Sequence, residues 1–373
     1  VDLDLSTEQR LLSDTVNALL DKRYDPHTRR ELIASELGWS RELWAQFAEI
    51  GLLGLSFDEK YGGAGMGPGE LAIVMESFGR SLVLEPYFPT VVLGASLVSL
   101  AGSDEQKAEI LPKVANGELL LAFGYAEPTS RWSFTELSTT ATRNGGAWRL
   151  TGEKIAVAGA DCADRLVVSA RTPDGVGLFL VNASDVALSP YRMQDDHRGA
   201  DVLLSSTPAQ LLGTSTDALD VIESVVDIAT AALCSEAVGA MNRMLWMTVD
   251  YLKTRVQFGQ PIAVFQALQF RAADMYVSLE QARSMALLAR LALAGDDAGE
   301  RRRSVRGAKI QVDLSARHVG QEAIQLHGGI GMTMEYPVGH YLKRLTVISK
   351  TFADTAELLE LLGTDGGLIQ EPA

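Results

Sequence analysis

Apolar positions change their period twice along the chain. Up to about Ala115 they recur at helical spacing: Ser6 and Gln9 form a capping box, and Leu12, Val16, Leu19 and Leu20 then share one helical face. The pattern breaks at Tyr61-Gly62-Gly63-Ala64-Gly65-Met66-Gly67-Pro68-Gly69, where five glycines and a proline exclude regular structure and predict a loop between helices. From about Gly117 the period falls toward two, with β-prone runs at 119–125, 166–170 and 177–181. Asn144-Gly145-Gly146 is a hairpin signal between runs at 138–142 and 148–151. Beyond Thr216 the helical period returns over 217–256, 266–293 and 305–326. The expected fold is mainly α with a central β domain: helices over 1–116, a β domain over 117–212 and a helical bundle over 213–373.

A chain of 373 residues with 47% hydrophobic content can bury several cores, which excludes dominant disorder. Its formal charge of -15 repels phosphate backbones and anionic surfaces, so neither nucleic acid nor a charged membrane is an expected partner. An anionic ligand would need a locally basic pocket. The start at Asp2, Leu3 and Asp4 carries no basic, then apolar, targeting pattern, and apolar stretches such as 91–100 are too short to span a bilayer. A cytoplasmic location is the expectation. Cys162 and Cys234 lack metal or CxxC spacing and are expected to be structural thiols; no metal site is expected. Arg301-Arg302-Arg303, with Arg306 and Lys309, follows Asp296, Asp297 and Glu300, as at a solvated helix start of mixed charge.

Two stretches carry candidate chemistry. In 254–266 a long helix is stopped by Gly259 and Pro261, leaving Arg255 in its last turn and Gln266 near the next helix start. A guanidinium there either neutralises its own helix end or clamps a pyrophosphate. In 325–331 another helix ends on Gln325-Leu326-His327-Gly328-Gly329, where glycines allow close backbone approach. His327 on its own reads equally as an interior histidine.

Together, and with Glu59-Lys60-Tyr61-Gly62-Gly63, Ala126-Glu127-Pro128 and Leu150-Thr151-Gly152-Glu153-Lys154 in the same order, these stretches resemble the acyl-CoA dehydrogenase family over nearly the whole chain. The resemblance implies an N-terminal helical domain, a middle β-barrel-like domain and a C-terminal four-helix bundle. It also implies FAD as cofactor and oxidation of the Cα–Cβ bond of an acyl-CoA. By the same resemblance Arg255, Gln257, Phe258, Gln266, Gln325, His327, Gly328 and Gly329 are the cofactor-binding residues, gripping FAD bound mainly by a neighbouring subunit.

Departures from the family pattern are equally informative. The usual catalytic glutamate position is Phe352, and the alternative position on the earlier helix is Ala229. The segment expected against the flavin ring reads Ala126-Glu127-Pro128-Thr129-Ser130-Arg131-Trp132-Ser133, and the family's aromatic wall is replaced by Ala156-Val157-Ala158. The chain thus resembles the β subunit of α2β2 steroid side-chain acyl-CoA dehydrogenases. The implied partner is a homologous α subunit that carries the glutamate, with an electron-transfer flavoprotein-type acceptor. Two alternatives stay open: a self-sufficient enzyme using Glu236, about two turns beyond Ala229, and a flavin-free scaffold. Glu236 in its apolar stretch needs a cationic partner if it is structural, an arginine across the bundle or Arg243 on its own helix.

Overall fold

The computed structural model describes residues 5–130 and 132–367. Asp2, Leu3, Asp4 and Arg131, named above, lie outside the described residues. Helices in chain order are α1 (Thr7–Arg23), α2 (Pro26–Ala34), α3 (Arg41–Glu49), α4 (Pro68–Ser81), α5 (Ser96–Ala101) and α6 (Asp104–Ala115). Seven strands follow: β1 (Leu121–Gly124), β2 (Thr140–Asn144), β3 (Ala147–Ala158), β4 (Arg165–Arg171), β5 (Val176–Asn182), β6 (Ala187–Arg192) and β7 (Arg198–Leu211). The chain then returns to helices α7 (Leu219–Thr254), α8 (Gln266–Ala292), α9 (Ala298–His327), α10 (Val338–Ile348) and α11 (Thr355–Thr364). Helical N- and C-terminal parts therefore flank a middle β region, as the periodicity implied. The backbone divides into two compact units, one of residues 30–67 with 84–229, the other of the chain up to Arg29 with 68–83 and the chain from Thr230 onward.

In the first unit the strands close on themselves. β2 pairs with β3, β3 with β7, β7 with β5, β5 with β4, and β4 with β2, while β1 extends the β2 edge of β4 and β6 lies along β7. Closure leaves only β1 and β6, among the seven described strands, with a single partner, and it encloses a core of Leu150, Leu166, Val168, Phe179, Val202 and Leu204, each no more than 1% exposed. The predicted hairpin has a two-residue turn, with Gly145 at φ 58° and Gly146 at φ 93°, as a turn with two left-handed residues requires. The apolar stretch 91–100 lies in a π-helical segment (Phe88–Ala95) continued by α5; Thr90 ties it to the barrel by accepting from Leu121 N–H and donating to Leu121 C=O.

In the second unit Ser6 and Gln9 cap α1 reciprocally, and Val16 and Leu20 bury its apolar face. Pro68 and Gly69, placed in a loop by their composition, instead open α4: proline fits a first helical turn because its missing N–H has no intrahelical partner there anyway. α4 and α7 cross with their backbones in contact. A Cβ at Gly79 would lie 1.9 Å from Glu236 C=O, and one at Gly239 would lie 1.9 Å from Glu76 C=O. Every residue from 231 to 240 is buried. Ala231, Ala289, Val305 and Ala308 form a further buried apolar cluster.

Candidate functional site

The second unit gathers the two candidate stretches at the ends of α7 and α9. Arg255 sits one residue beyond α7 rather than in its last turn, its N–H still closing onto Tyr251 C=O. A small hairpin follows, Val256–Gln257 against Gln260–Pro261, and Gln266 is the first residue of α8. α9 ends at His327, capped by Gly328 at φ 63°. Although these ends are far apart in sequence, Tyr251 stacks on His327 with ring centroids 4.6 Å apart, and Tyr336 packs on His327 at 4.7 Å. Aromatic contact therefore fixes one helix end beside the other.

Around this seam the candidate grip faces outward. Arg255, Gln257, Gln266, Gln325, Gly328 and Gly329 are exposed, and Phe258 is 89% exposed in a left-handed backbone conformation, edge-on to Phe265. Space for a Cβ is open at both Gly328 and Gly329, so a ligand can approach that backbone closely. His327 differs from the others. It is 3% exposed, Nδ1 is hydrogen-bonded with Ala323 C=O at 2.7 Å, and Nε2 with Tyr336 Oη at 3.2 Å. Burial pushes its pKa down, partly offset by the Ala323 carbonyl, so the neutral ring is favoured inside. Its imidazole lies inside the fold and is not exposed with the other candidate residues.

Glu236 faces a cation from another element. Arg344 of α10 donates from Nε to Oε1 at 2.5 Å and from Nη2 to Oε2 at 2.7 Å, and both side chains are less than a tenth exposed. The partner is thus the arginine across the bundle and not Arg243, which is exposed on α7. Arg344 is turned inward by its helix, since Tyr341, Leu345 and Ile348 occupy the same buried face. A side-on guanidinium engages both carboxylate oxygens at once. At the two positions where the resemblance sets a base, Ala229 is fully buried and Phe352 is 6% exposed at φ 66°.

The first unit holds the two segments that the family resemblance sets against a flavin ring, 126–133 and 156–158. Ile155 N–H donates to Ala126 C=O, which joins them. Ala156 lies where the β3–β7 register shifts, at φ 51°; it is exposed, and its N–H donates to Asp201, which also accepts from Tyr191 Oη. Beneath them is a buried ion pair joining the Ala126-Glu127-Pro128 and Leu150-Thr151-Gly152-Glu153-Lys154 motifs. Lys154 Nζ bonds Glu127 Oε1 at 2.7 Å, Ser169 Oγ at 3.3 Å and Tyr125 C=O at 3.2 Å, and both charged side chains are no more than 1% exposed. Ser138 and Thr139 N–H groups donate to the same carboxylate. Burial pushes Lys154 down to about 8, with Glu127 opposing that shift. Burial also raises Glu127, but Lys154 and the N–H donors outweigh it and hold the carboxyl below its ordinary value. The signal was available: Lys154 occupies an inward position of β3 with Leu150 and Val157, where an ammonium needs a counter-charge.

These observations test the fit of FAD in two halves. The exposed guanidinium, amides and open glycine backbone suit a phosphate-bearing ligand. Ala156, Val157 and Ala158 themselves supply no aromatic ring and no hydroxyl to a flavin. Among the described residues no group of acidic, cysteine and histidine side chains could hold a metal ion, and no helix is long and apolar enough to cross a membrane. Asp297 caps α9 ahead of the basic run by accepting from Gly299 and Glu300 N–H, and Arg306 pairs with Asp365.

Helical N- and C-terminal parts around a middle β region are the architecture of a three-domain dehydrogenase family. Residues 6–118, 122–203 and 219–350 match the N-terminal, middle and C-terminal domains of acyl-CoA dehydrogenases. The chain belongs to the acyl-CoA dehydrogenase family. It is 30% identical over 359 residues to a probable acyl-CoA dehydrogenase, YngJ, of Bacillus subtilis, covering 92% of this chain and 93% of that protein. It is also 30% identical over 360 residues to the acyl-CoA dehydrogenase IpdE2 of Mycobacterium tuberculosis, covering 96% and 97%. Among solved structures it superposes on a variant of the Tcur3481–Tcur3483 steroid ACAD with a TM-score of 0.89 at 30% identity, covering 96% of this chain and 97% of that one. It superposes on the ChsE4–ChsE5 complex of Mycobacterium tuberculosis with a TM-score of 0.90 at 26% identity, covering 100% of both chains.

Proposed function

We propose that this chain is the base-lacking subunit of a heteromeric, FAD-dependent acyl-CoA dehydrogenase that introduces a Cα=Cβ double bond into a bulky acyl-CoA of the steroid side-chain class. One contrast carries the reading. A dinucleotide grip is presented to the outside at Arg255, Gln266, Gln325, Gly328 and Gly329, while Phe352 and Ala229 stand where a carboxylate would remove the α proton. FAD, when bound, supplies the two-electron acceptor for hydride leaving Cβ. This chain's part is to bind and orient: Arg255 takes the pyrophosphate charge, the amides of Gln257, Gln266 and Gln325 fix neighbouring polar atoms, and Phe258 covers an apolar surface and excludes water. A homologous α subunit supplies the glutamate and the ring platform in an α2β2 complex, with an electron-transfer flavoprotein-type acceptor and a cytoplasmic location. Likeness to a protein described as a steroid ACAD and to the ChsE4–ChsE5 complex supports both the heteromer and the substrate class. Glu236 is a poor alternative base because Arg344 holds both of its oxygens.

Expression alone and together with a glutamate-bearing relative tests this. The chain alone is expected to be colourless and inactive. The co-purified complex is expected to carry flavin, and its flavin content falls in the R255A/Q325A variant. Yellow, active protein from this chain alone would overturn the reading.

A further inference from the structure

The second compact unit contains a cleft of about 390 Å³ away from the candidate grip, between α1, α4, α7 and α8. Its floor is the α4–α7 crossing, where Gly239 leaves no room for a side chain between the two backbones, so the cleft is rigidly built. Three arginines and one glutamate reach it, an unusual balance in a chain of formal charge -15. Two of the arginines are engaged: Arg80 by Asn17 and by Asp21 at 2.6 Å, and Arg283 by Glu76 at 3.1 Å and Glu280 at 3.4 Å. Arg290 is half-buried and has no ion-pair or hydrogen-bond partner among the described residues, and the amide of Asn242 in the same cleft is likewise unengaged. Ile73, Val238 and Leu287 add an apolar lining beside these donors.

We infer that this cleft is a second binding site, for a small carboxylate with a short aliphatic body. A guanidinium and a primary amide present several N–H donors, and the one carboxylate of the lining, Glu76, is held by Arg283, so the free donors match the two oxygens of an incoming carboxylate; the aliphatic lining takes the chain behind it. The cleft is built wholly within one unit, and the inference does not depend on the proposed function.

Hexanoate and inorganic phosphate titrated into the full-length chain, followed by ligand-observed NMR, test it. Saturable hexanoate binding, weakened about tenfold or more in R290Q and comparably in N242D, is the expected result, since one charge-assisted contact is lost or opposed in each. Phosphate is expected not to displace hexanoate. Arg290 and Asn242 lie at a partly exposed surface, so unchanged thermal unfolding of both variants will show that the fold is intact. Absence of saturable binding, equal affinity in R290Q, or full displacement by phosphate would each overturn the assignment.

Discussion

Buried charge is the dominant theme at the level of single residues. Lys154 and Glu127 are fully enclosed and joined at 2.7 Å, and the carboxylate also receives the Ser138 and Thr139 N–H groups. Removing one member of such a pair leaves the other charged and unsolvated, at a cost of about 3–5 kcal/mol. Lys154→Met is therefore expected to lower the unfolding temperature markedly at neutral pH. The pH dependence should change sign as well. In the native chain Glu127 is held below its ordinary 4.5, so its stabilisation is present above that pH and is lost as the pH falls through the lower folded value. In the variant Lys154 no longer opposes burial, the largest influence on Glu127, and only the Ser138 and Thr139 N–H donors remain against it; the folded value is expected to rise, and stability to fall as the pH is raised through 4.5 toward that value. Thermal unfolding followed by circular dichroism from pH 4 to 7 checks this; parallel curves for the two proteins would contradict it.

Glycine governs contact between elements at the α4–α7 crossing. Alanine at Gly239 would gain about 1 kcal/mol of helix propensity, yet its Cβ would stand 1.9 Å from a backbone carbonyl that cannot rotate away. Overpacking of that kind costs about 1–3 kcal/mol or more, so Gly239→Ala is expected to be net destabilising and to lower the unfolding temperature. A variant as stable as the native chain would show that the two helices separate freely. Hydrophobic period revealed α7 as a helix but not which glycine faced α4, because that depends on a neighbour more than 150 residues away in sequence. The Glu236–Arg344 pair was half legible in the same way. An acid in an apolar stretch demands a cation, and the partner became identifiable only when α10 turned Arg344 inward.

In the proposed role the molecule as a whole lacks two things in different units: a carboxylate at Phe352 and an aromatic side chain at Ala156–Ala158. A single substitution cannot repair both. Phe352→Glu is accordingly expected to give the isolated chain neither retained flavin nor turnover of an acyl-CoA with an artificial electron acceptor, because proton removal and ring orientation are needed together. Turnover by the isolated variant would show that this barrel can seat the ring unaided.

The amino-acid sequence by itself determined the succession of helical, β and helical parts, the tight hairpin at Gly145-Gly146 and the caps of α1, since each depends on local periodicity or on backbone preference within a few residues. It also determined the chemical identity of the outward-facing residues and the apolar side chains of Ala229 and Phe352, where the family resemblance expects a carboxylate. Tertiary structure alone decided that Tyr251 and His327 fasten two helix ends side by side, that Arg344 answers Glu236, and that Lys154 and Glu127 neutralise each other inside the barrel. The physical reason is common to all three: the cost of burying a polar group is local, but the partner that offsets it is chosen by how distant elements pack.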